Sequence, residues 1–171
     1  MPLFSVVIPT YNRADLLRYA LQSALEQTFD DYEIIVSNNC STDNTRQVVA
    51  DLDSNRVCYL KPEKHMNAAD HWDFAARHAR GKYIMILGDD DCMTPNMLAA
   101  LYEPARSGSA NMISYAFGRY YHPDYFKPVL RNQLQVKPFT GQLLEISVRR
   151  LRYMGNTQLP MWSASTPHNC K

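Results

Sequence analysis

FSVVIPTYNRADLLRYALQSALEQTFDDYEIIVSNN, residues 4–39, reads as one complete strand–helix–strand unit. Phe4 to Pro9 is short, apolar, rich in β-branched residues and closed by a proline, the pattern of a strand buried on both faces of a parallel sheet. Leu17, Leu21 and Leu25 then recur every fourth residue beside Leu16, Ala20 and Ala24. They mark one apolar helix face over about residues 14–28. Tyr32 to Ser37 repeats the strand pattern. Parallel strands joined by a helix require a crossover, and that crossover is right-handed.

The same alternation continues downstream. Ser41 to Leu52 predicts a helix with Ser41 or Thr42 as its cap, and Arg56 to Leu60 a third strand. Asn67 to Arg80 predicts a helix that Gly81 is placed to end, and Lys82 to Leu87 a fourth strand. Pro95 opens a further helix at its first turn. The fold class expected is α/β, three layers with a mainly parallel central sheet. Ligands of such sheets bind beyond the carboxyl ends of the strands. Here those positions carry Thr10–Arg13, Asn38–Ser41 and Gly88–Asp91, three polar loops expected on one rim. After residue 106 the alternation stops. Asn111 to Phe117 reads as a strand, Arg119 to Val129 as an aromatic loop, and Thr140 to Tyr153 as a helix before an irregular tail.

The bulk properties exclude several function classes. The chain has 171 residues, 46% of them apolar, enough for a real core. Its 18 Lys and Arg against 17 Asp and Glu leave a net charge of +1, with no global attraction to nucleic acid. No two of its four cysteines stand at zinc or redox spacing. No leader or membrane-spanning run is visible, so a cytoplasmic protein is expected, with room for a place at the inner face of the membrane.

Asp89, Asp90 and Asp91 carry the chemistry. Three adjacent carboxylates repel one another unless a cation stands among them. Mg²⁺ or Mn²⁺ takes one or two carboxylates and completes its shell with water and phosphate oxygens. A solvated acidic turn before a helix is the plainer reading of a bare DDD. Its place at a strand end on the shared rim favours the metal site.

SVVIPTYNRADLLRYALQSALEQTFDDYEIIVSNNCSTDNT and HARGKYIMILGDDDCMTPNML, with their order and spacing over roughly residues 3–105, resemble the family 2 inverting glycosyltransferases of GT-A fold. The resemblance implies a Rossmann-like GT-A domain. Residues 1–106 would form its nucleotide-sugar-binding half and residues 107–171 a partial acceptor side with an irregular tail. It implies transfer of a sugar from a nucleotide-diphospho-sugar, UDP-type favoured, to an acceptor hydroxyl with Mg²⁺ or Mn²⁺, as in polysaccharide biosynthesis.

Residue by residue, it places Pro9, Thr10 and Tyr11 along the nucleoside. Tyr11 flanks the base or packs as a rim tyrosine on the first helix. Asn38 and Asn39 stand where the family has aspartates, one of which contacts the base. An amide adds a donor where a carboxylate only accepts, so a preference for uracil is not carried by this motif. Asp43 falls on the last acidic position, with helix capping as its favoured role. Asp89 and Asp90 face the donor, and all three aspartates serve the metal. Counted back from Pro95, the pattern D-x-D-D-x-x-x-P puts Gly88 first and Asp90 and Asp91 third and fourth. The literal D-x-D is instead Asp89 and Asp91; in the family register Asp90 is the direct ligand, with Asp89 and Asp91 acting through water or sugar hydroxyls.

Two departures stand out. The family's diphosphate-binding arginine is replaced at the matching positions by His71, Trp72 and Asp73. Lys64, His65 and Arg77 are alternative sources of charge. His65 and His71 are weak metal candidates, and Trp72 is expected in core or rim packing rather than as a sugar platform. A catalytic base is also missing from its usual context. Glu103, Asp124 and Glu145 are the downstream acids, Asp124 in YYHPDYF being the weak candidate. The chain is shorter than a usual catalytic unit of the family. An inactive or truncated donor-binding module, or a dimer partner, is therefore the alternative. A nucleotidyltransferase ranks last, since PTYNRA has no glycine-rich phosphate loop. Tyr115, Phe117, Tyr120, Tyr121, Tyr125 and Phe126 suit a saccharide or lipid-linked acceptor, and equally a homo-oligomer interface.

Overall fold

The computed structural model of the chain describes residues 1–107 and residue 113. Eight elements alternate: β1 (Phe4–Thr10), α1 (Ala14–Leu25), β2 (Tyr32–Asn38), α2 (Thr45–Asp51), β3 (Val57–Leu60), α3 (Ala68–Ala76), β4 (Tyr83–Ile86) and α4 (Met97–Arg106). The four strands form one parallel sheet in the order β3-β2-β1-β4. Val7 pairs with Ile35 on one side and Ile86 on the other. The α/β expectation with a parallel sheet and flanking helices therefore holds.

Topology fixes the layers. From β1 to β2 to β3 the chain steps outward in one direction, and from β3 to β4 it steps back across the whole sheet. With right-handed crossovers, α1 and α2 must share one face and α3 must cover the other. Packing agrees: Val7, Ile35 and Cys58 cluster with Ala75 of α3. Val6, Ile8, Ile34 and Val36, fully buried, alternate to the opposite face. α1 meets that side with Ala14, Leu17, Ala20, Leu21 and Ala24, all buried. Leu16 and Leu25, expected on the same face, are only half-buried at its edges.

Helix ends differ from the sequence expectation for local reasons. α2 begins at Thr45, not Ser41, because the intervening residues join two loops instead. Ser41 N–H donates to Asn38 Oδ1, and Thr42 N–H donates to Asn12 Oδ1, both at 2.8 Å. α3 stops at Ala76, well before Gly81. Arg80 N–H is drawn to Glu33 Oε1 at 2.7 Å, and Gly81 N–H to Ser5 Oγ at 2.7 Å. Gly81 is thus no helix cap. A Cβ there would stand 2.5 Å from Ser5 N, so only glycine lets the chain enter β4 against β1. α4 begins at Met97, not Pro95. The Pro95 carbonyl accepts from Thr28 N–H at 2.8 Å, and Leu98 N–H donates to Gln27 Oε1 at 3.0 Å. Gln27 therefore caps α4 from the far end of α1.

No helix among the described residues is long and apolar enough to cross a membrane. The expected features at 119–129 and 140–153, the aromatic acceptor stretch, Asp124 and Glu145 lie outside the described residues, as do the expected strand at 111–117 and the proposed 107–171 region apart from residues 107 and 113.

Candidate functional site

The carboxyl ends of β1, β2 and β4 point the same way, and their loops meet. Thr10 C=O accepts from Asn39 N–H at 2.9 Å, and Asn12 N–H donates to Ser41 Oγ at 2.9 Å. Asn12 and Cys40 both adopt positive φ, 52° and 60°, which turns each loop sharply off its strand. Asp43 is the shared anchor. Its Oδ2 accepts from Ala14 N–H at 2.9 Å, and its Oδ1 from Thr45 N–H and Oγ1 at 3.1 and 2.6 Å. One carboxylate so serves the first turns of α1 and α2, whose N-cap residues supply no side-chain bond. Burial would raise its pKa, but these donors hold it below the ordinary value.

The aspartates take two different environments. Asp89 is buried. Its Oδ2 accepts from Thr10 Oγ1 at 2.8 Å and its Oδ1 from Arg13 at 3.1 Å. The same Arg13 nitrogen lies 3.2 Å from Asp90 Oδ2. Arg13 thus supplies the cation that the acidic run demands. The Asp90 pair joins groups 51% and 55% exposed, and such pairs contribute about 0–1 kcal/mol.

Asp90 and Asp91 face outward above Gly88. A Cβ on Gly88 would stand 2.7 Å from Asp91 Oδ2 and 3.0 Å from Asp90 Oδ1. Two carboxylate oxygens therefore share the cradle that a missing side chain leaves. Among the described residues no three His, Cys, Asp or Glu side chains are gathered as a metal cage. Two carboxylates with room for water and phosphate nevertheless fit the coordination habit of Mg²⁺ and Mn²⁺.

Asn38 and Asn39 are buried, and their amides are engaged. Asn38 Nδ2 donates to Tyr59 Oη at 2.7 Å while its Oδ1 serves Ser41 N–H. Asn39 clamps the backbone of Met66, with Nδ2 donating to Met66 C=O at 2.8 Å and Oδ1 accepting Met66 N–H at 2.9 Å. They shape the rim by positioning the 64–67 loop. Pro9 lies within β1, buried on neither exposed rim nor loop, one residue before the bond from Thr10 to Asp89. Tyr11 is exposed, its ring centroid 4.5 Å from that of His65. His65 in turn holds Asn39 C=O through Nδ1 at 3.1 Å.

His71 is separate from this pair. It is buried, with Nε2 2.9 Å from Ser37 Oγ. Burial first, then the neighbouring His65, push its pKa down. Trp72, expected in core or rim packing, is 52% exposed on α3, which excludes the core. Arg77 is held by Asp73, one turn earlier on the helix, at 2.6 Å. An open hollow of about 510 Å³ runs along α3 past Lys64, His65, Asn67 and Phe74, and its lining does not include Asp89, Asp90 or Asp91.

Sequence reasoning missed Arg13 and Gln27. Both act across the fold, onto residues 76 and 71 positions away. The loop quoted as Thr10–Arg13 did contain the arginine, but nothing local pairs it with the aspartates.

A parallel sheet with helices on both faces, whose rim gathers an arginine, a hydroxyl and paired carboxylates, defines an α/β domain with a polar site at its strand ends. Comparison with known proteins narrows it: the Glycosyl transferase family 2 model matches residues 5–163, and the chain belongs to that family. A GalNAc(5)-diNAcBac-PP-undecaprenol beta-1,3-glucosyltransferase of Campylobacter jejuni is 35% identical over 66% of this chain and 37% of its own. The putative colanic acid biosynthesis glycosyl transferase WcaA of Escherichia coli K12 is 31% identical over 91% of this chain and 54% of its own. The chain thus spans about two fifths to about half the length of these relatives. The S. aureus TarS structure with UDP-GlcNAc superposes with a TM-score of 0.61 at 24% identity, covering 74% of this chain and 38% of TarS, and shows the GT-A fold.

Proposed function

We propose that the described half of this chain binds a nucleotide-diphospho-sugar for transfer of its sugar to an acceptor hydroxyl, with Mg²⁺ or Mn²⁺ held at Asp90 and Asp91. The observation that carries the reading is the joining of the loops after β1 and β4 through Asp89. Thr10 and Arg13 hold its two oxygens and leave Asp90 and Asp91 facing outward over Gly88. Bound there, the cation would neutralise charge on the leaving diphosphate. The chain's own residues do the rest: Thr10 fixes the aspartate loop, and Asn39 and His65 hold the 64–67 loop against Tyr11. Tyr11 offers an exposed aromatic face to a nucleobase.

Relatives support the substrate class. The E. coli enzyme WfgD, 30% identical over 69% of this chain, is named for UDP-Glc and a diphosphoundecaprenol-linked acceptor. A Pyrobaculum calidifontis mannosyltransferase, 28% identical with a TM-score of 0.50, is described with GDP-Man and Mn²⁺. A UDP-sugar donor and a saccharide or lipid-linked acceptor are therefore proposed, with action at the inner face of the membrane.

A second reading, a donor-binding module without turnover, has its own observation. Past Asp91, the acid among the described residues is Glu103, on α4 beside Arg106 at 3.9 Å and exposed, with no place on the rim. Calorimetry with UDP and Mn²⁺, followed by a sugar-release assay on the UDP-sugar, separates the readings. Binding with release supports transfer, binding alone supports the module, and no UDP binding removes both.

A further inference from the structure

We infer that Arg13 and the divalent cation compete for Asp90, and that Arg13, still anchored at Asp89, is the residue that meets the donor's diphosphate. The inference rests on the donor-site reading above and assigns a positioning and binding role that the sequence motifs leave unfilled.

One guanidinium nitrogen divides itself between the two carboxylates, 3.1 Å from Asp89 Oδ1 and 3.2 Å from Asp90 Oδ2. The two bonds are not equivalent. Asp89 is buried and braced from its other side by Thr10, so its position is fixed. Asp90 is exposed, and its remaining oxygen already faces the Gly88 cradle with Asp91. A weakly held ion pair between two half-exposed groups yields to a divalent ion that takes both outward carboxylates. Asp89 then keeps the guanidinium at the rim.

A diphosphate at the metal needs a further cation, and planar guanidinium is suited to paired phosphate oxygens. Candidates elsewhere are placed differently. Arg77 is clasped by Asp73 on α3, and both Arg77 and Lys64 line the hollow along that helix, whose lining does not include Asp89, Asp90 or Asp91. Trp72, at the position where the arginine is expected, carries no charge, and His71 beside it is buried against Ser37. Arg13 also stands at the N-cap of α1, the positive end of a 12-residue helix, which adds to the field an anion would meet.

The test is calorimetry on the full chain, titrating Mn²⁺ alone and then UDP at saturating Mn²⁺, for wild type, Arg13→Gln and Arg13→Lys. Competition predicts opposite movements in Arg13→Gln. Mn²⁺ alone binds several-fold tighter, because its rival is gone, and UDP binds about 10- to 100-fold weaker, the loss expected for a charged hydrogen bond. Arg13→Lys keeps the charge without the fork. Its Mn²⁺ affinity stays near wild type, and its UDP affinity falls less. Loss of Mn²⁺ and UDP affinity together in Arg13→Gln would mean that Arg13 only organises the loop, and the inference fails. Unchanged UDP affinity in Arg13→Gln also overturns it. So does an Arg13→Lys variant matching Arg13→Gln in both titrations. A wild-type chain that binds no UDP removes the donor-site reading itself, a result distinct from wild-type binding without the opposite movements.

Discussion

Thr10 Oγ1 donates a 2.8 Å hydrogen bond to Asp89 Oδ2 across 79 residues of sequence, and both residues are buried. The bond ties the end of β1 to the loop that follows β4, its neighbour in the sheet. With Arg13 on the other oxygen, Asp89 becomes the fixed point from which Asp90 and Asp91 project. The aspartates are consecutive in sequence but divided in role.

Removing the Thr10 hydroxyl leaves a buried carboxylate oxygen without its donor, which costs about 1–3 kcal/mol. Thr10→Val should therefore lower the urea midpoint and weaken Mn²⁺-dependent UDP binding, while Thr10→Ser retains most of both. Equal behaviour of the two variants would show that the methyl packing, not the hydroxyl, matters.

Gly88 tests the cradle. An alanine Cβ would meet Asp91 Oδ2 at 2.7 Å and Asp90 Oδ1 at 3.0 Å. Both are ends of exposed side chains, which can rotate away at little cost to the fold. Gly88→Ala is expected to reduce Mn²⁺ affinity about tenfold or more while shifting the unfolding midpoint little. Gly81→Ala is the contrast, since its Cβ would strike the backbone of Phe4 and Ser5. That variant should lose about 1–3 kcal/mol of stability, as overpacked sites do, in a denaturant titration.

Asn39→Asp restores the residue type that the family motif favours, yet it should damage this chain. The Asn39 amide both donates to and accepts from the Met66 backbone. A carboxylate cannot donate, and it would face the Met66 carbonyl from a buried position. A loss of about 2 kcal/mol or more at neutral pH is expected, together with greater protease sensitivity near residues 64–67. Limited proteolysis and urea titration measure the two effects, and a variant as stable as wild type would show that the Met66 clamp contributes little.

The parts of this architecture that were legible in sequence are those set by local periodicity. The run from Phe4 to Pro9, the buried face Leu17-Leu21-Ala24 and the DDD after a strand all state their environment within a few residues. Strand alternation then fixed the rim, because parallel strands joined by helices place their carboxyl ends together. What could not be read were bonds whose partners are distant. Arg13 to Asp89, Gln27 to Leu98 and Glu33 to Arg80 each join residues 47 or more positions apart. Two of these bonds, Gln27 to Leu98 and Arg80 to Glu33, also accompany the shifted ends of α4 and α3. Gly81 looked like a cap because its neighbours are helical in character, whereas its real constraint is the Ser5 backbone on another strand. Core or rim could not be decided for Trp72, because apolar character alone does not say which side of α3 faces the sheet.

His71 makes the fold sensitive to acid in a defined window. It is buried against Ser37, and burial followed by the charge of His65 sets its pKa below the ordinary 6.5. The Ser37 contact opposes that shift without cancelling it. In the unfolded chain the imidazole takes a proton as pH falls through about 6.5, while the folded chain still resists it. The unfolded state then binds more protons, so stability must decline as pH falls. The contribution is fully present above about pH 6.5 and shrinks below it until the folded group itself titrates. Glu33 does not confuse this window. Burial would raise its pKa, but Arg80 and Ser5 bring it below 4.5, so its own contribution is lost only in stronger acid. Urea midpoints from about pH 7.5 down to about pH 5.5 should fall for wild type. They should fall less steeply for His71→Asn, which keeps a polar partner for Ser37 but does not titrate. Parallel slopes for the two proteins would show that the acid sensitivity does not come from His71.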